Sequence, residues 1–95
     1  MKVRLSQAAL EDLRSIARWI ASDRPNAARK IAKNLRAACL ALGDTPRAYE
    51  ILDEKRSPAI RRRPFSRYLI CYRIEDSQIV VVRILDGARN IEPLL

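Results

Sequence analysis

Apolar positions recur along the chain with two different periods, and the change of period divides it. Residues 2–5, Lys-Val-Arg-Leu, alternate polar and apolar as a short strand does. From Ala9 the spacing becomes helical: Ala9, Leu10, Leu13, Ile16, Ala17 and Ile20 fall on one side. Ser6 is placed to cap this helix, with Glu11 and Asp12 near its positive end. The helix is predicted to end near Ser22. Pro25 suits the first turn of a second helix, whose buried stripe is Ala28, Ile31, Ala32, Leu35, Ala38, Cys39 and Leu42. Gly43 is expected to close it as a C-terminal cap. The break is short, so the two helices should form an antiparallel hairpin.

Beyond the hairpin the period shortens to that of strands. Residues 44–57 show no clear period and carry Pro46, so they read as a loop with a short turn of helix. Residues 60–65 read as a strand that Pro64 confines to an edge or to its own end. Residues 68–74 are a stronger strand, with Tyr68, Ile70, Tyr72 and Ile74 on one face and Leu69, Cys71 and Arg73 on the other. Glu75-Asp76-Ser77 makes a turn. Residues 79–85 are nearly all apolar, as in a central strand buried on both faces. Asp86-Gly87 then turns the chain into the tail, residues 88–95.

Composition supports this division. Eleven of the 13 Ala lie between residues 8 and 48, and nine of the 14 Ile and Val lie after residue 57. Ala favours helix and β-branched residues favour strands. Helices segregated ahead of strands imply an α+β fold rather than alternating βαβ units. Ninety-five residues suit one domain, spanning 1–95. No run of 18 apolar residues exists for a membrane helix, and no apolar segment follows the charged N-terminus, so a cytoplasmic protein is expected. Cys39 and Cys71 stand apart and read as buried thiols. With no His in the chain, no metal site and no cofactor are expected.

Charge adds a partner class. The net charge is +8, with 15 Arg and 4 Lys against 11 acids. Such a balance favours a polyanion or an acidic protein. Residues 55–73 hold seven cations and no acid. Two readings stand: a solvated strand edge protected from aggregation, or a binding face carried by Arg61, Arg62, Arg63 and Arg67. Trp19 and Leu40 fall outside the apolar stripes of their helices. Trp19 either packs on the edge of the sheet or anchors a partner; Leu40 is either a single exposed leucine or a second anchor.

Catalysis finds few candidates. Hydrolysis needs groups that move protons near neutral pH. There is no His, no nucleophile elbow and no Gly-rich phosphate loop. The acidic pairs Glu11-Asp12 and Glu75-Asp76 occupy a first helical turn and a tight turn, ordinary structural places. A ribonuclease built here would use Arg and Lys for charge and a Tyr or carboxylate as base. Tyr68 and Tyr72 share a strand face, as core or as a catalytic pair. These residues favour a binding protein over an enzyme.

Residues 67–74, Arg-Tyr-Leu-Ile-Cys-Tyr-Arg-Ile, followed by residues 79–89, Ile-Val-Val-Val-Arg-Ile-Leu-Asp-Gly-Ala-Arg, resemble the ParE branch of the RelE/ParE toxin superfamily. That branch shows a YLIFYR-like strand, a hairpin turn and a strand ending in RVLHGAR, with Asp86 here where His is frequent. Residues 9–13 resemble its A-x-x-D-L helix, Trp19-Ile20 its aromatic-Ile pair, and residues 24–28 the start of its second helix. The resemblance implies a helical hairpin packed on a twisted, mainly antiparallel sheet in the order β-α-α-β-β-β. It implies a toxin of a type II toxin–antitoxin system that inhibits DNA gyrase. It also implies a cognate ParD-like antitoxin with an acidic C-terminal segment, with no role for a membrane. Direct contact with nucleic acid is expected only on the alternative reading, a RelE-like ribosome-dependent mRNA endonuclease. Residues expected to meet target or antitoxin are Arg61, Arg62, Arg63, Arg67, Arg83, Arg89, Trp19 and Leu40, and no catalytic residue is assigned. RelE-like enzymes use a Gly-x-Arg turn, matched by Arg89, and a terminal Tyr or His; the tail, residues 90–95, has neither.

Overall fold

In the computed structural model, which describes residues 1–87 and 92–95, Ser6 hands the first strand over to the first helix. Strand β1 (Lys2–Leu5) runs parallel to β5 (Gln78–Asp86), with Leu5 opposite Val81. The Ser6 N–H continues that ladder to the Val81 carbonyl at 2.9 Å, and its hydroxyl donates to the Val82 carbonyl at 2.9 Å. The same hydroxyl oxygen accepts from the Ala9 N–H at 3.0 Å, capping helix α1 (Gln7–Ala21). Helix α2 (Pro25–Ala41) starts on Pro25, whose missing N–H costs nothing in a first turn.

The hairpin covers one face of a five-stranded sheet in the order β1-β5-β4-β3-β2. Here β2 is Ile51–Asp53, β3 is Ile60–Phe65 and β4 is Tyr68–Glu75. All pairings are antiparallel except β1 with β5. Between helices and sheet lies the main core: Ala9, Leu13, Leu35, Ala38, Cys39 and Leu42 against Ile70, Tyr72, Ile79, Val81 and Ile84. Each Leu- or Ile-sized side chain removed from water there contributes roughly 1.5–3 kcal/mol. A second, smaller cluster on the outer face joins Ile60, Cys71 and Leu85 to Leu94 of the C-terminal 3-10 turn (Glu92–Leu94) and to Leu95 after it. Strand β5 is therefore buried on both sides, as its apolar run predicts.

The β4–β5 turn is Asp76-Ser77, both at positive φ (50° and 62°), the backbone pattern of a two-residue hairpin. Pro64 pairs with Leu69 on the β4 side only, beyond the point where β2 has ended.

Three expectations are corrected. The stretch read as a loop holds β2, which pairs through Ile51 with Arg61 and through Asp53 with Ile60 across a shift in register. Three residues broken by an irregularity leave no periodic signal. Gly43 is not a left-handed cap, since no glycine has positive φ among the described residues. A side chain is excluded there because a Cβ would collide with the Met1 carbonyl oxygen; the Met1 ammonium donates to the Gly43 carbonyl at 2.9 Å. Lastly, the first turn of α1 carries no acid. Asp12 lies a turn further on and faces the sheet.

One irregularity lies in a strand that periodicity reads as continuous. Cys71 pairs with Arg83, but Tyr72 pairs with Val81, so Val82 is the extra residue of a β-bulge. The bulge changes the phase of β5. Ile79 and Val81 face the helices, and after the bulge Ile84 does so in place of residue 83.

Candidate functional site

Because β1 ends at Leu5, the edge of β5 beyond Val81 has no strand beside it. Side chains from the start of α1 take over. Ser6 serves the Val82 carbonyl, and the Asp12 carboxylate accepts from the Ile84 N–H at 2.9 Å. The same carboxylate grips Arg83 through two hydrogen bonds, from Nε at 2.7 Å and Nη2 at 2.8 Å. Arg83 donates once more, to the Leu94 carbonyl at 3.0 Å. One arginine thus ties helix, sheet and C-terminal turn together, and Asp12 holds its pKa above the ordinary guanidinium value.

Past Ile84 the sheet edge opens into a groove of about 470 Å³. Its apolar lining includes Ile16, Ile20, Ile31, Tyr68 and Ile84, with Arg24, Arg67 and Asp86 among its charged groups. Trp19 stands at this groove with 81% of its surface exposed. The reading in which it packs on the edge of the sheet is thereby overturned. A large apolar residue left in water beside an apolar recess is the pattern of a binding surface.

The basic stretch is largely neutralised by acids from elsewhere in the chain. Arg56 pairs with Asp53, Arg62 with Glu50, Arg67 with Asp86 and Arg73 with Glu75. Arg67 sits in the β3–β4 turn opposite Asp86 at 2.5 Å. This places Asp86 in an ion pair beside the groove. Arg61 and Arg63 lie on the same face of β3, as alternation requires. Arg61 donates to the Tyr49 carbonyl at 2.8 Å. Arg63 donates to the Tyr49 hydroxyl at 2.8 Å and to the Ala38 carbonyl at 2.7 Å, a cation on one of the last carbonyls of α2. Its guanidinium also lies 5.3 Å and 5.5 Å from the Tyr49 and Phe65 ring centres. Arg61 and Arg63 through Tyr49, and Arg62 through Glu50, fasten the segment between α2 and β2 to the sheet.

Three further groups have shifted titration. Burial pushes the Cys39 and Cys71 thiols up to about 11, outweighing the opposing pull of nearby arginines. Both cysteines are free and buried. Burial also raises the Tyr72 phenol, which donates to the Pro46 carbonyl at 2.8 Å within the core. Among the described residues, no three His, Cys, Asp or Glu side chains gather as a metal site. No helix among them is long and apolar enough to cross a membrane.

The structure therefore brings Trp19 and Arg67 to one groove. It places Arg83 in a clamp with Asp12, which lines that groove, and Arg61, Arg62 and Arg63 on β3, where Arg63 alone reaches the end of α2 and the other two hold Tyr49 and Glu50. Leu40 is 52% exposed. It lies near the C-terminus of α2, about 20 Å along the helix from the hairpin turn where Trp19 sits. Arg89 lies outside the described residues. Sequence reading passed over Asp12, Asp86, Ile16 and Ile20 as parts of this site. Asp12 carried a signal, an acid at the margin of an apolar stripe, but its partner is 71 residues away.

A family model described as "ParE toxin of type II toxin-antitoxin system, parDE" matches residues 3–91. No match to a curated protein sequence was found. A solved structure described as "Chromosomal ParDE TA system from P. aeruginosa" shares the fold, with a TM-score of 0.77 at 17% identity over 90% of this chain and 95% of the other.

Proposed function

The chain belongs to the ParE toxin family of type II toxin–antitoxin systems, and on that footing we propose that it inhibits DNA gyrase and is neutralised by a ParD-like antitoxin seated beside Trp19. The observation that favours the gyrase reading over RNA cleavage is the occupation of two of the three phenols, Tyr49 and Tyr72, which leaves Tyr68 without a second phenol as its acid–base partner. Removing the 2′-OH proton requires a base that can ionise near neutral pH. The Tyr72 hydroxyl is spent on the Pro46 carbonyl, with its pKa raised, and the Tyr49 hydroxyl is held by Arg63. Arginine supplies charge in plenty but is a poor base, with a pKa above about 12. A gyrase inhibitor needs no proton shuttle, because the enzyme it traps performs the DNA chemistry.

Supercoiling assays with purified gyrase are expected to show inhibition or trapped, cleaved DNA. Programmed ribosomes are expected to keep their mRNA intact in the presence of the protein. Clean cleavage in the ribosomal A site would defeat this reading in favour of the RelE-like one.

For the antitoxin, Ile16, Ile20, Ile31 and Tyr68 offer an apolar floor and Trp19 an aromatic anchor, with Arg24 as the groove's cation outside the Arg67–Asp86 pair. Trp19→Ala is expected to weaken antitoxin binding by at least about 30-fold, the scale of an interface hot spot. Since Trp19 is exposed, the thermal melt should barely move. Titration calorimetry with the cognate antitoxin and a thermal melt of the variant check these, and an unchanged affinity would place the interface elsewhere.

A further inference from the structure

A cluster of exposed cations without acidic partners among the described residues lies on α2, away from the basic stretch that draws attention in the sequence. Helix α2 carries Arg29, Lys30, Lys33 and Arg36 and no acid. All four are exposed, and none forms an ion pair among the described residues. Residues 29, 33 and 36 are spaced at i, i+4 and i+7, so they line one strip of the helix over about 10 Å. Asn26 and Asn34 are exposed on the same helix and add uncharged donors.

We propose that the outer face of α2 binds duplex DNA through its phosphate backbone. Charge complementarity carries the choice. Phosphate contact needs exposed Arg and Lys and asks for no apolar anchor. A protein partner needs a desolvated centre depleted of Lys, whereas this face is convex and its one large apolar residue, Leu40, sits at its end. The apolar recess suited to a protein lies instead at the Trp19 groove. A single helix, about 10–12 Å across, matches the width of the B-form major groove, whereas the major groove of A-form RNA is deep and narrow. Four arginines of the basic stretch are paired with acids, whereas this helix presents four exposed cations and no acid, a concentrated source of outward positive field.

The test is fluorescence anisotropy of a labelled 20-base-pair DNA duplex of arbitrary sequence with the full chain, across a range of salt. Arg29→Ala/Lys33→Ala/Arg36→Ala is expected to lower affinity by roughly tenfold or more and to make the slope of log K against log salt shallower by about 2.7, near 0.9 for each lost phosphate contact. Arg56→Ala/Arg62→Ala/Arg73→Ala removes the same net charge from cations that are paired, and is expected to keep the slope. Arg29→Lys/Arg36→Lys is expected to bind like the parent, and circular dichroism confirms that each variant is folded. Equal losses in the two triple-alanine variants would overturn the proposal, since net charge alone would then account for binding. An A-form RNA duplex or polyglutamate bound as tightly as the DNA would also overturn it. No gyrase is present, so failure here leaves the gyrase reading untouched.

Discussion

Replacing Asp12 with alanine is expected to lower the unfolding free energy by about 3–5 kcal/mol, the cost of leaving half of a largely buried ion pair without its partner. The Asp12 and Arg83 side chains retain only 14% and 26% of their exposure. Removing the carboxylate strips two hydrogen bonds from the Arg83 guanidinium and one from the Ile84 N–H. That N–H lies on a strand edge with no neighbouring strand, so no backbone group replaces the lost acceptor. Asp12→Asn keeps an oxygen for Ile84 but gives up the charge, and should fall between the parent and alanine. Replacing both partners by leucine should recover much of the loss, because no uncompensated charge then remains. Urea denaturation of the single and double variants measures these differences. A loss below about 1 kcal/mol for Asp12→Ala would mean that Arg83 turns to solvent and that water serves Ile84.

The legible parts of the fold were those fixed by local period. Most of the helical stripes reach the sheet, Ala9, Leu13 and Ile16 from α1 and Ile31, Ala32, Leu35, Ala38 and Cys39 from α2, and Ser6 caps α1 through a bond to Ala9. The faces of β4 follow strict alternation, with Tyr68, Ile70, Tyr72 and Ile74 toward the helices and Leu69 and Cys71 away. Illegible features all depend on distant parts of the chain. The extra residue at Val82 changes the phase of β5, yet a run of Val and Ile looks the same in either phase. β2 owes its form to pairing with β3 rather than to its own pattern. The acids that neutralise Arg62 and Arg67 come from Glu50 and Asp86, 12 and 19 residues away. A window of sequence therefore exaggerates the positive charge of the sheet. For the site, Trp19 was identifiable as an apolar residue off its stripe. The groove that gives it meaning forms only when α1 passes the open edge of β5.

Between about pH 9 and pH 11 the protein is expected to lose roughly 5 kcal/mol of stability through its two buried thiols. Cys39 and Cys71 each rise from 9.0 to about 11 in the folded chain. At about 1.36 kcal/mol per pKa unit, each thiol accounts for roughly 2–3 kcal/mol. Both shifts have the same sign. The folded state favours the neutral thiol, so its contribution is complete below 9.0, where unfolded cysteines also keep their protons. As pH rises past that value the unfolded chain releases protons that the folded chain retains, and stability declines until the folded thiols ionise near 11. The raised Tyr72 phenol adds to the decline in the same direction. A loss of this size is a large fraction of the roughly 5–15 kcal/mol that holds a domain folded. Urea melts at pH 8, 9.5 and 10.5 should show the midpoint falling steeply over the upper interval. Cys39→Val/Cys71→Val removes the titrating groups at similar volume and should flatten most of the dependence. The same steep fall in that variant would assign the alkaline loss to Tyr72 instead of the thiols.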